Sequence, residues 1–329
     1  MRVVYFLIYL VLCLSCQQRS SERIVQKEYI TISDFECLET DSVKVPFISN
    51  VDDLYIQDSI LIIKNTSGEH KYQLLQSKNY SSIREFGKIG NGPNEFTYPE
   101  FVRNSDRICI VDKSKNNMLF FDSLLNVESQ IRIKNDYLMS SIKSLTDSMY
   151  SFIQYTPQSS ILYFTNICTG AISDSLLFEL SGDRNDLKEF NYEMVENQLF
   201  VSFMYSDLIY VYDRDSLSKT YTLSKEITSS KPQINKFGKV YYNDMVCVNS
   251  KMYILNQKNI EVDEEVGTIN GETSILVFSH LGAFEKEIRL NRFVTHMVVD
   301  QTNEKFIFYS PLNDNYLFEA NYRFLDSAS

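Results

Sequence analysis

Leu54-Tyr55-Ile56-Gln57-Asp58-Ser59-Ile60-Leu61-Ile62-Ile63 reads as an apolar strand, a two-residue turn and a second apolar strand. Asp and Ser suit the turn because their short side chains hydrogen-bond the local backbone. The unit returns at 102–111, 142–152, 194–201, 246–255 and 298–308. With turns taken at 58, 105, 147, 197, 249 and 303, the repeat is 42 to 54 residues long. Most copies are followed by two further strand-like runs, as at 70–75 and 83–86 after the first. Four antiparallel strands in 40 to 50 residues is the size of a propeller blade, and the quoted unit is expected to be its outer hairpin. Six copies predict an all-β chain, a six-bladed β-propeller. One four-stranded sheet cannot cover both its faces, whereas ring stacking covers every face. The last copy is a strand short, and the alternating stretch at 26–32 (Gln-Lys-Glu-Tyr-Ile-Thr-Ile) has no blade of its own. This N-terminal strand is expected to close the ring by joining the last blade.

Composition agrees. The chain of 329 residues has 22 Tyr and 22 Phe, no Trp, and Ala only at 171, 283, 320 and 328. Ala is the best helix former, and aromatic and β-branched residues favour strands, so a helical bundle or Rossmann-type enzyme is disfavoured. The net charge of −11 argues against nucleic acid and against anionic lipid surfaces, both of which repel an acidic protein.

The N-terminus carries a short basic start at Arg2 and an apolar run at 3–12. Leu14-Ser15-Cys16 follows, and then polar Gln17-Gln18-Arg19-Ser20-Ser21. The apolar run is too short for a transmembrane helix. The segment resembles a bacterial lipoprotein signal with Cys16 as the acylated residue, although Cys13 stands where Leu is usual. The expected organisation is a signal peptide at 1–15, a polar tether at 16–25 and the propeller at 26–329. Several acyl chains at about 0.8 kcal/mol per buried methylene would hold such a protein on a membrane permanently. The lack of acidic residues just after Cys16 favours the periplasmic side of the outer membrane.

Between the first two repeats lies Gly87-Lys88-Ile89-Gly90-Asn91-Gly92-Pro93-Asn94-Glu95-Phe96. No Lys-Ser/Thr pair follows, so this is not a phosphate loop. It is expected to be a sharp blade connection with positive φ at Gly90 and Gly92, stiffened by Pro93 and anchored by Phe96. Gly87, Gly90, Gly92, Pro93, Glu95 and Phe96 match a G-x-x-G-x-G-P-x-E-F signature. With the lipoprotein signal and the six-fold period, the chain resembles the six-bladed β-propeller lipoproteins of gut anaerobes. That family is similar to the TolB propeller and to NHL repeats. The resemblance implies fold and envelope location, and no catalytic residues.

Chemical motifs are sparse. His70, His280 and His296 fall in different hairpin contexts, unlike a zinc site with converging ligands. No G-x-S-x-G elbow is present. Cys109 and Cys247 sit in apolar strands and read as small buried hydrophobes, and no disulfide framework is indicated. The acidic run 261–265 leads to Asn270-Gly271, a hairpin turn pair, in an extended hairpin. An Asp-Ser-apolar tripeptide recurs, as at Asp58-Ser59-Ile60 and Asp174-Ser175-Leu176. It resembles a bacterial O-glycosylation acceptor, but it is also what a turn followed by a strand looks like.

In a propeller the first strand of each blade starts beside the central channel. The residues two before the first apolar position of each repeat are Asp52, Glu100, Ser140, Tyr192, Asp244 and His296. All are polar. Carboxylates converging there would repel one another and raise each other's pKa, or recruit a cation. The ring is therefore expected to take Ca²⁺, or a cationic or hydroxyl-rich ligand. The functional reading is a lipid-anchored envelope module that binds or scaffolds a protein, peptide or glycan. The competing class is an envelope lyase or hydrolase with its site at the axial mouth.

Overall fold

The computed structural model describes residues 26–29, 35–45, 48, 51–66, 68–92, 95–122, 124–133, 139–157, 159–179, 189–206, 208–213, 216–222, 242–263, 268–313 and 315–322. These residues form six sheets, antiparallel apart from one parallel edge strand in each of two, and no helix. The expectations for Cys16 and for 1–25 lie outside the described residues.

Blade 1 runs outward as Val51–Gln57, Ile60–Asn65, His70–Gln76 and Ser82–Lys88. Blade 2 is Pro99–Phe101, Cys109–Asp112, Asn117–Phe121 and Val127–Arg132. Blade 3 is Met139–Ser144, Met149–Tyr155, Ser159–Asn166 and Ala171–Glu179. Blade 4 is Phe190–Val195, Gln198–Phe203, Leu208–Asp213 and Ser216–Thr222. Blade 5 is Tyr242–Val248, Lys251–Asp263, Thr268–Ser279 and Phe284–Leu290. Blade 6 has three strands of its own, His296–Asp300, Lys305–Tyr309 and Tyr316–Asn321.

The six repeated turns all join the first strand of a blade to the second. The hairpin seen in the sequence is thus the inner one, not the outer one. The first strands approach one another around the axis, while the fourth strands of blades 1 and 2 are mostly exposed. Several turns use left-handed backbone at residues that tolerate it, as at Asp58 (φ 52°) and Asn249 (φ 50°).

Six apolar clusters fill the spaces between neighbouring blades, one per interface. Between blades 1 and 2, Tyr72, Phe86, Phe101 and Phe121 pack together, with Phe86 edge-to-face on Phe121 at 4.8 Å. Each buried aromatic contributes about 1.5–3 kcal/mol, so stability is distributed around the ring.

Ring closure differs from expectation in the segment used. Asp41–Lys44, not 26–32, is the fourth strand of blade 6, antiparallel to Tyr316–Glu319. Among the described residues it is the last strand before blade 1 begins at Val51, and it leads from the sixth blade into the first. Val45 and Ile48 follow it fully buried between blades 6 and 1. Gln26–Tyr29 instead adds in parallel to Lys219–Thr222 as a fifth strand of blade 4. Phe35–Leu38 does the same to Glu287–Leu290 of blade 5. The N-terminal segment therefore edges three successive blades.

The long second and third strands of blade 5 form the extended hairpin. Asn270 pairs with Glu261 inside it, so Asn270-Gly271 is not its turn.

The glycine loop also works differently from expectation. Only Gly87 of its glycines has positive φ (75°), and a Cβ there would lie 2.8 Å from the Tyr72 ring. Gly90 and Gly92 are needed for space. A Cβ on Gly90 would sit 2.1 Å from Glu95 Oε2, and one on Gly92 2.9 Å from it. The Glu95 carboxylate folds into the loop, accepts the Gly92 N–H at 2.8 Å and pairs with Lys88 at 3.2 Å. Phe96 is buried against Phe86, as its anchoring role requires. Pro93 lies outside the described residues.

Candidate functional site

The first strands of the blades enclose an axial channel with a mouth at each end. The first mouth, at the starts of these strands, opens into a cavity of about 550 Å³. Asp52, Glu100, Tyr192, Asp244 and His296 all line it. Ser140 does not; its neighbour Ser141 does. The reason is a bulge between Ser140 and Lys143, with Ser141 at φ 51°. One extra residue turns the next side chain toward the axis. Blades 1 and 5 carry bulges at the same level, between Val51 and Asp53 and between Tyr242 and Asp244.

The carboxylates do not converge on a common ion. Asp52 meets Lys64 at 2.9 Å, and Glu100 meets Lys64 at 3.3 Å and Lys113 at 3.4 Å. Among the described residues no group of three or more His, Cys, Asp or Glu is placed to hold a metal. The Ca²⁺ expectation assumed bare carboxylates; here Lys64, Lys113 and Arg103 are paired with Asp52, Glu100 and Asp244. His296 is likewise engaged, with Nε2 3.0 Å from the Asp52 carbonyl oxygen and Nδ1 2.9 Å from Thr295 Oγ1.

The waist of the channel rests on Arg103, which lines both mouths. Its Nη2 donates to both Asp53 oxygens at 2.6 and 2.8 Å, and its Nη1 donates to Asp244 at 3.3 Å. The guanidinium also lies over the Tyr55 ring at 5.1 Å. Burial works against the Asp53 charge, but Arg103, His296 and Lys64 outweigh it and hold the carboxyl below its ordinary value. Asp244, 3% exposed, is raised: burial comes first and Asp53 adds repulsion, against the pull of Arg103. The bidentate contact to Asp53 and the single one to Asp244 account for the opposite directions.

Beside it, buried Lys143 donates to Glu193 at 2.6 Å and to the Tyr192 carbonyl. Burial lowers the Lys143 pKa in spite of Glu193. Asn104 completes Glu193 with a 3.0 Å bond. The Tyr192 hydroxyl donates to the Ser141 carbonyl at 2.6 Å, and burial raises its pKa. These links cross from blade to blade, so the waist is a set of paired charges that ties inner strands together and divides the two mouths. The second mouth, of about 570 Å³, is lined by Ile56, Met194 and Val246 and rimmed by Gln57, Asn104 and Gln301.

Arg103 and Lys143 were not singled out by the sequence reading, yet a signal exists. Both stand one residue after the first apolar position of their repeats. The same position holds Tyr55, Val195, Cys247 and Val299 in the other four. A charge in a register otherwise uncharged marks a buried ion pair.

No protein-family profile matches the chain, and no curated protein matches it significantly in sequence. Solved structures do resemble it in fold. A member of the DUF4221 family from Bacteroides vulgatus aligns over 88% of this chain and 97% of its own, with a TM-score of 0.61 and 12% identity. A candidate exported protein from Bacteroides fragilis aligns over 90% and 98%, with a TM-score of 0.56 and 12% identity. At such identities the likeness establishes the fold, an all-β six-bladed propeller.

Proposed function

We propose that the protein is a lipid-anchored binding module of the cell envelope, with its ligand site at the first axial mouth. The observation that carries this reading is the convergence of side chains from the inner strands on one polar cavity of about 550 Å³. Its charges are paired in place, so it offers alternating donors and acceptors rather than a net field. That suits a hydroxyl-rich or zwitterionic ligand better than a bare ion. The Bacteroides neighbour named as a candidate exported protein supports the envelope location. The lipoprotein character, the likeness to TolB and NHL propellers and the periplasmic side belong to this proposal.

Thermal melting in the presence of the low-mass fraction of an envelope extract tests the site. A ligand at 100 times its Kd adds about 2.7 kcal/mol of stability, a rise of several degrees. Asp52→Asn, at the partly exposed rim, is expected to abolish the rise while lowering the unliganded melting temperature by no more than about a few degrees through loss of the Lys64 pair. No rise with the wild type, or an equal rise with the variant, refutes the mouth as the site.

The anchor has its own test. Cys16→Ser is expected to release the protein into the soluble periplasmic fraction or leave an unprocessed precursor. Retention in the outer membrane after a high-pH wash would refute acylation at Cys16.

A further inference from the structure

Five charged side chains stand in a row at the first mouth, on the side of blades 1 and 2. Lys71 lies 3.9 Å from Asp52, Asp52 2.9 Å from Lys64, Lys64 3.3 Å from Glu100 and Glu100 3.4 Å from Lys113. The signs alternate, and a cation stands at each end. Three ammonium groups therefore face two carboxylates, an excess of one positive charge in a chain whose net charge is −11. The waist below carries the opposite excess, because Arg103 and Lys143 face Asp53, Asp244 and Glu193. That excess is covered by the backbone. Asp244 accepts the N–H groups of Met245 and Met297, Asp53 accepts that of Leu54, and Glu193 accepts that of Met194.

The excess at the rim falls on Lys71. Its side chain is only 20% exposed, yet among the described residues its nearest carboxylate is 3.9 Å away, beyond hydrogen-bond reach. An ammonium taken out of water without a close partner is costly. The two neighbouring lysines of blade 1 differ in how this cost is met. Burial works against the Lys64 charge, but Glu100 and Asp52 outweigh it and raise the pKa. Burial also works against Lys71. There Asp52 does not offset it, Lys64 adds repulsion, and the pKa is lowered. Lys64 is thus saturated, while Lys71 has room for one more anion. Asp52 lines the cavity, so the Lys71 ammonium stands at the cavity rim.

Resting on the first mouth as the ligand site, we infer that the ligand is a sugar with a single negative charge, carried by one carboxylate or one sulfate ester and seated on Lys71. One anion there neutralises the row and gives the ammonium the close, charge-assisted partner it lacks. The sugar hydroxyls meet the paired charges of the cavity, where Asp52 accepts from one of them. Tyr98 stands at the other end of the row. Its carbonyl accepts the Lys113 N–H at 3.1 Å, and its side chain is 67% exposed. Such a ring offers an apolar face to one side of a sugar.

The test is a titration of the purified protein, carrying carbon-13 at the lysine ε-carbons, with glucuronate, glucose 6-sulfate and the uncharged methyl ester of glucuronate. The Lys71 resonance is identified by its loss in Lys71→Met, and an unchanged melting temperature will show that this variant remains folded. The expected result is a saturable shift of the Lys71 resonance with at least one acid, and at least tenfold weaker binding of the ester. The acid that binds more tightly identifies the anionic group. Lys71→Met should reduce binding of that acid to the level of the ester. An ester that binds as tightly as the acids, an acid affinity unchanged in Lys71→Met, or no saturable shift with either acid overturns the inference. Met204→Trp, which fills the cavity from the blade 4 side, separates this outcome from failure of the mouth itself. If the ester binds as tightly as the acids and Met204→Trp blocks it, the mouth stands and the acid seat falls. If the acids still shift Lys71 in Met204→Trp, the acid seat stands and the mouth falls as the site of the sugar.

Discussion

Arg103→Ala is expected to lower the melting temperature by about 10 °C, from a loss of roughly 3–5 kcal/mol. The loss comes less from the contacts removed than from the charges left behind. Asp53 and Asp244 would stay buried with their guanidinium gone. The sign of the pH dependence separates this from simple loss of packing. In the wild type Asp53 is depressed, so its contribution is present above its unfolded value, about 3.9, and is lost as pH falls through the lower folded value. In the variant both carboxyls lose their counter-charge, and their folded pKa values rise above the unfolded one. The variant then gains stability as acid protonates them, and the gap to wild type narrows from pH 7 toward pH 4. Arg103→Lys keeps the charge without the fork and should fall between the two. A gap that stays constant with pH, measured by melting curves from pH 4 to 8, would mean that the waist is held by packing alone.

Removing the closing strand should be more damaging still, and it should be separable from removing the strands upstream of it. A chain beginning at residue 39 after cleavage loses only the strands added to blades 4 and 5, and is expected to melt within a few degrees of wild type. A chain beginning at residue 46 loses Asp41–Lys44 and Val45, uncovering Tyr316–Asn321 and opening the interface between blades 6 and 1. Buried Val45 alone accounts for about 1.5–3 kcal/mol, and the freed edge invites pairing between molecules. Aggregation or loss of the cooperative transition is expected, read by size exclusion and calorimetry. A monomer with an unchanged melting temperature would contradict the closure described above.

The repeat was legible because it is written locally. Asp58-Ser59, Glu196-Asn197 and Asn249-Ser250 are turn pairs that announce themselves, and the apolar strands around them bury residues such as Phe200 and Ile254. The closing strand was not legible, because Asp-Ser-Val-Lys at 41–44 is too short to show a period. The longer alternation at 26–32 drew attention to strands that edge another blade. In the candidate site, counting two residues back from the apolar position placed Asp52, Glu100, Tyr192, Asp244 and His296 at the mouth. It missed Ser141, because a bulge shifts the register by one and leaves no mark in composition. It also treated the carboxylates as unopposed, because Lys64 and Lys113 reach them from second-strand and loop positions outside the ring of equivalents. The glycine loop failed for a related reason. Gly90 and Gly92 answer to a folded-back Glu95 side chain, a contact in space rather than a backbone rule.

Ring closure by Asp41–Lys44 sets an order of events for a chain synthesised from its N-terminus. The strand that completes blade 6 emerges among the first residues, and its partner, Tyr316–Asn321, among the last. Closing so long a loop costs entropy before any contact repays it. Individual blades can form as they arrive, but the ring cannot lock until the final blade is through. Until then, Gln26–Tyr29 and Phe35–Leu38 can add to blades 4 and 5, while Asp41–Lys44 has no sixth blade to complete. Ring closure is therefore tied to blade 6, and a chain truncated before Tyr316–Asn321 would leave Asp41–Lys44 without its partner.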